Sequence, residues 1–202
     1  MNKLITIAAG LLFSVAAIAG ENIKSIDIGA KIPMADAKMM STDEKQVSLN
    51  DAKTQTGLLV MFSCNTCPYV IKSQARTTEM LEYSKKMGLG VVIVNSNEAK
   101  RDGDDSKKAM TKYAKAQGYD VPYVVDEKSK LADAFGATRT PEVFLFDGNG
   151  KLMYKGAMED NPANPSESTE LFLKNAIDQM ATGMLPDPNS TKSIGCTIKR
   201  AS

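Results

Sequence analysis

Apolar residues in this chain fall in short unbroken runs separated by polar stretches, with no single long repeat. The first run is Leu58 to Phe62, which leads into Ser63 and Cys64, and the second is Val91 to Val94 after Gly90. Unbroken runs of this length read as strands buried on both faces, the kind found at the centre of parallel sheets. No glycine or proline lies between Pro68 and Gly88, which predicts a long helix over 67–87 with Pro68 tolerated in its first turn. Met110, Tyr113 and Ala114 then keep helical spacing behind a cap at Ser106, and Gly118 follows the helix end.

A short strand over 121–125, a helix over 129–135 closed by Gly136 and a strand over 143–146 come next. Asp147-Gly148-Asn149-Gly150 turns that strand into a hairpin completed by 151–155. A last helix is predicted behind a Ser166 cap, with Glu167 and Glu170 in its first turn and Leu173, Ala176, Ile177 and Met180 along one face. This order predicts an α/β fold with parallel core strands and helices on both faces. Residues 20–48 read as an N-terminal extension covering a sheet edge, 49–183 as the main domain and 184–202 as a tail without periodicity.

Residues 1–19 pair a basic start at Lys3 with an uncharged apolar run ending Ala17-Ile18-Ala19, the pattern of a cleaved signal peptide. The competing reading is a membrane anchor near the lower length limit for a span. Cleavage leaves about 183 residues, one compact domain. It directs the protein to the periplasm or outside the cell, with no stable membrane association. Lys and Arg total 25 against 24 Asp and Glu, so a chain without Lys3 is formally neutral, and no basic tract suits a nucleic acid. The absence of histidine removes His-based triads and the commonest transition-metal ligand, and no metal site is expected. The acidic stretch from Glu98 to Asp105 reads as a solvated loop lacking the pattern of a calcium site.

Chemistry is carried by Cys64-Asn65-Thr66-Cys67 at the junction of the first core strand and its helix. Unpaired N–H groups at a helix start favour a thiolate, and only the thiolate attacks a disulfide. Cys64 is the candidate nucleophile. Cys67, about one helical turn on, is the candidate resolving thiol. Three cysteines leave Cys196 over, and two readings stand: a small buried hydrophobe beside Ile194 and Ile198, or a third redox cysteine that pairs with Cys64 or with a partner chain. The thirteen residues from Gly183 reach about 40 Å when extended, so distance allows the second.

These stretches, with Gly136-Ala137-Thr138-Arg139-Thr140-Pro141 and the hairpin after it, resemble the thioredoxin superfamily. More closely they resemble its peroxiredoxin-like branch of redoxin or thiol-specific antioxidant type, whose C-terminal Gly-Cys-Ser-Ile-Lys motif appears here as Gly195-Cys196-Thr197-Ile198-Lys199. The resemblance implies a central mixed sheet with helices on both faces, a cis proline at Pro141, and a substrate strand pairing with the backbone of Thr140. It implies a thiol-disulfide oxidoreductase that needs no dissociable cofactor and trades electrons with a protein thiol or disulfide partner. A thiol peroxidase and a non-catalytic binding module are the alternatives. The acid that thioredoxin buries on this strand falls at Leu58, and Met61 stands three before Cys64, where the peroxidase pattern differs.

Overall fold

The computed structural model describes residues 23–201. The signal peptide expected at 1–19 lies outside them. In chain order the elements are β1 (Met39–Met40), β2 (Gln46–Val47), α1 (Leu49–Ala52), β3 (Gly57–Ser63), α2 (Pro68–Lys72), α3 (Gln74–Lys86), β4 (Gly90–Asn95), α4 (Lys107–Gln117) and β5 (Tyr123–Val125). There follow α5 (Lys130–Phe135), β6 (Arg139–Thr140), β7 (Glu142–Asp147), β8 (Leu152–Gly156), α6 (Phe172–Ala181) and β9 (Cys196–Thr197).

Five strands form one mixed sheet in the order β5-β4-β3-β7-β8. β3 runs parallel to β4 and antiparallel to β7, so it lies at the centre, as its unbroken apolar run requires. Successive side chains point to opposite faces and feed two cores. Leu59, Met61, Val91, Ile93, Val143 and Leu145 pack with Met80, Met110 and Leu173 from α3, α4 and α6. On the other face Leu58, Val60, Phe62, Val94 and Phe144 pack with Leu131 and Phe135 of α5 and, from the tail, Ile198. Phe62, Phe135 and Phe144 meet edge to face, with centroids 5.1 to 5.7 Å apart. Burying each such ring stabilises the fold by roughly 1.5–3 kcal/mol.

The N-terminal segment reaches both sheet edges. The Gly29 amide donates to Leu152 O at 2.8 Å beside β8, and the Thr42 amide donates to Tyr123 O at 2.9 Å beside β5.

Two helices depart from the pattern. The helix expected over 67–87 is broken at Ser73, whose φ and ψ of −86° and 10° end α2 and begin α3. Ser73 is fully buried and its hydroxyl donates to Pro162 O at 3.4 Å, a tertiary bond with no local signature. The last helix begins at Phe172, with Leu171 at its cap. Ser166, Glu167 and Glu170 precede it, and Ser166 sits in the separate turn Pro165–Glu167. There Asp160 captures Ser168 and Thr169, holding the intervening chain out of the helix.

Candidate active site

The cysteines lie where β3 gives way to α2. Cys67 caps α2 in extended conformation and Pro68 occupies the first helical position, where a missing N–H costs nothing. Thr140 approaches from across the sheet, and the Thr140–Pro141 peptide is cis. Thr140 Oγ1 lies 3.4 Å from Cys64 Sγ, and its carbonyl oxygen lies 3.3 Å from Cys67 Sγ.

The structure brings Cys64, Cys67, Thr140, Pro141 and Cys196 together. Cys196 is neither the unpaired buried hydrophobe nor the mate of Cys64 or of a partner chain, the readings left open by the sequence. Cys67 and Cys196 form a disulfide, with Cα atoms 6.1 Å apart across a sequence separation of 129, and Cys64 is the free thiol. The physical reason is the path of the tail. β9 pairs antiparallel with β6, setting Cys196 directly opposite Thr140 on the side that Cys67 faces. With its sulfur in the disulfide, Cys67 has no proton, so its approach to Thr140 O is a contact and not a hydrogen bond.

Cys64 is only 2% exposed, packed with Val70, Tyr69 and Tyr113. Burial pushes its thiol up from the ordinary value, against the hydrogen bond with Thr140; the Asp105 charge pushes the same way, and the amides of Cys67 and Thr66 oppose it. The lowering expected from a helix start does not prevail. The helix that follows is five residues long, so few peptide dipoles align on the sulfur, while desolvation acts in full.

Asp105 shapes the loop that carries Cys64. Although it belongs to the stretch read as solvated, it is fully buried. Its carboxylate accepts the Asn65 amide at 2.9 Å, Asn95 Nδ2 at 2.7 Å and Asn97 Nδ2 at 2.9 Å. Tyr123 completes the frame by donating to Asn65 Oδ1 at 2.9 Å. The available signal was Asn95, a polar residue closing an otherwise apolar strand. Glu142 does the same for β6, accepting the amides of Thr138 and Arg139 at 2.8 and 3.0 Å.

Among the described residues no group of three or more His, Cys, Asp or Glu could hold a metal ion. A groove of about 850 Å³, lined by Met39, Arg101, Lys107 and Leu131 among others, contains none of the cysteines.

A mixed five-stranded sheet with helices, a Cys-x-x-Cys at the head of a helix and a cis proline facing it define a redox protein of the thioredoxin fold. The chain belongs to the Redoxin family, whose model matches residues 27–171. The tail bearing Cys196 lies beyond that match. A curated relative, the thiol-disulfide oxidoreductase ResA of Bacillus subtilis (strain 168), is 27% identical over 146 residues, 72% of this chain and 75% of the relative. A crystal structure of a hypothetical protein from Sinorhizobium meliloti 1021 is 30% identical with a TM-score of 0.78, covering 89% of this chain and 97% of that one. The thioredoxin domain of a thiol-disulfide oxidoreductase from Bacteroides vulgatus shares the fold at 20% identity and a TM-score of 0.54, over 65% of this chain and 89% of that one.

Proposed function

We propose that this protein is exported by cleavage of residues 1–19, works in the periplasm or outside the cell, and exchanges disulfides with partner proteins through Cys64 and Cys67. The enzyme class is thiol-disulfide oxidoreductase, the one carried by its curated relatives in Bacillus subtilis and Geobacillus thermodenitrificans. The observation that carries the reading is the convergence of the Cys64 and Cys67 sulfurs on Thr140, at 3.4 and 3.3 Å, where a β edge meets the head of a helix.

The steps balance without a cofactor. With Cys67 reduced, the Cys64 thiolate attacks one sulfur of a partner disulfide, and the other partner sulfur leaves as a thiolate. The Cys67 thiolate then attacks Cys64 Sγ, the mixed disulfide breaks, and the partner departs with two thiols while Cys64 and Cys67 are joined. Thr140 stands between both sulfurs and orients the exchange. The domain from 49 to 183 carries this chemistry.

The test uses a fluorogenic disulfide peptide and the mature chain. Cys64→Ser should cut turnover at least a thousandfold. Cys67→Ser should accumulate the mixed disulfide with Cys64, visible as a mass adduct. Wild-type turnover in both variants sinks the reading.

A further inference from the structure

The tail is pinned at two places. Thr191 Oγ1 lies 2.6 Å from the Tyr154 hydroxyl and accepts the Ala157 amide at 3.0 Å. Beyond the cysteine, Ile198 is buried in the second core and its amide donates to Thr138 O at 3.0 Å, and the Lys199 amide donates to Asn97 Oδ1 at 2.8 Å. Between these anchors the residues 192–197 cross the site with little burial; Ile194 is 38% exposed. Besides a 3.3 Å hydrogen bond from Arg139 Nη1 to Gly195 O, two features hold this span down. One is the pairing of β9 with β6, which requires glycine at 195, because a Cβ there would sit 2.2 Å from Thr140 O. The other is the Cys67–Cys196 disulfide. Against them stands the Ser193 hydroxyl, buried without a hydrogen-bond partner among the described residues, a group that water satisfies once the span lifts.

We propose that residues 192–197 form a strap latched over the site by Cys67–Cys196, and that Cys64 opens the latch by attacking Cys67 Sγ, with Cys196 as the leaving group. This rests on the exchange chemistry proposed above and adds Cys196 to it. The Cys64 thiol gives its proton to water, the Cys64–Cys67 bond forms as the Cys67–Cys196 bond breaks, and the Cys196 thiolate takes a proton from water. One disulfide is exchanged for another and no electrons enter or leave. The β edge of Arg139 and Thr140, occupied by the protein's own strand in the latched form, becomes free for an extended segment of a partner. The anchors at Thr191 and Ile198 keep the strap at hand to close again.

Labelling of the mature chain, oxidised to a single disulfide, with N-ethylmaleimide and peptide mapping tests this directly. The expected product carries the label on Cys196 and a Cys64–Cys67 disulfide, because exchange exposes Cys196 and labelling traps it. Cys64→Ser should slow the labelling of Cys196 at least tenfold. Equal rates in the two proteins, or a label landing on Cys64 with Cys67–Cys196 intact, overturn the latch. Hydrogen exchange of the wild-type peptide 192–197 supplies the second readout and needs no variant: it should be at least tenfold faster after Cys196 is labelled, and equal exchange also overturns the proposal. Failure of the partner-exchange reading looks different. Turnover of a partner disulfide that survives Cys64→Ser sinks that reading and leaves the labelling pattern as it was.

Discussion

At the scale of single residues, Cys64 is governed by competition between solvation and local hydrogen bonding. It sits among apolar and aromatic side chains with Asp105 nearby, so burial outweighs Thr140 and the two backbone amides, and the thiol is held above its ordinary value of 9.0. For an acid whose folded value is raised, the folded state prefers the protonated form. Stability from this group is therefore complete below the unfolded thiol value and is lost as pH rises through the folded one. Absorbance at 240 nm should give a Cys64 midpoint above that of an unfolded, solvated cysteine in the protein carrying the Cys67–Cys196 bond. Stability should also fall more steeply in wild type than in Cys64→Ser as pH rises from the unfolded thiol value to that midpoint, with the two slopes converging above it. A midpoint near 7 would mean that the helix start and the amides dominate after all. The same balance keeps little of Cys64 as thiolate near neutral pH, so the proposed attack on Cys67 should quicken as pH rises.

At the scale of elements, the broken helix behind the cysteines depends on contacts from the far side of the chain. Ser73 binds Pro162, and Arg76, one turn into α3, donates through Nε to Glu159 Oε2 at 2.8 Å. The Glu159 side chain is fully buried and its other oxygen has no partner among the described residues, so Arg76 alone compensates its charge there. Arg76→Ala should lower unfolding stability by about 3–5 kcal/mol, because it strands a buried carboxylate. Urea denaturation checks this, and a loss below about 1 kcal/mol would show that water reaches Glu159. Such dependence marks the boundary of what was legible in the chain. β3, β4 and β7 could be read because each carries an unbroken apolar run, and Cys64 and Cys67 stood out because they follow the first of those runs, whereas Thr140 and Pro141 were drawn to the site by the family resemblance. The break at Ser73, the burial of Asp105 and the start of α6 at Phe172 could not, because each is decided by a hydrogen bond to a residue remote in sequence or by a competing turn. Three cysteines allow three pairings, and only the route of β9 along β6 selects Cys67–Cys196.

At the scale of the whole molecule, that pairing joins the head of the first core helix to the tail across a separation of 129 residues. Closing a loop of this size removes much of the freedom of the unfolded chain, worth up to about 5 kcal/mol in the chain-entropy model and about 2–4 in most proteins. The native tail is already held at Thr191 and Ile198, so little native structure must be lost when the bond is reduced. The cost of reduction then falls on the unfolded state. Oxidised protein should melt roughly 5–15 °C above reduced protein, given the few degrees per kcal/mol typical of this size. Cys196→Ser should melt near the reduced wild type whether or not dithiothreitol is present, since the remaining Cys64–Cys67 pair closes only a very short loop. Scanning calorimetry of the four samples separates the contributions. Coincident melting of oxidised and reduced wild type would mean that the long-range bond leaves the unfolded chain no more constrained than before. The expected gap would mean that redox state sets global stability through the same bond that latches the proposed strap. A reductant would then release the proposed strap and lower the melting temperature in one event.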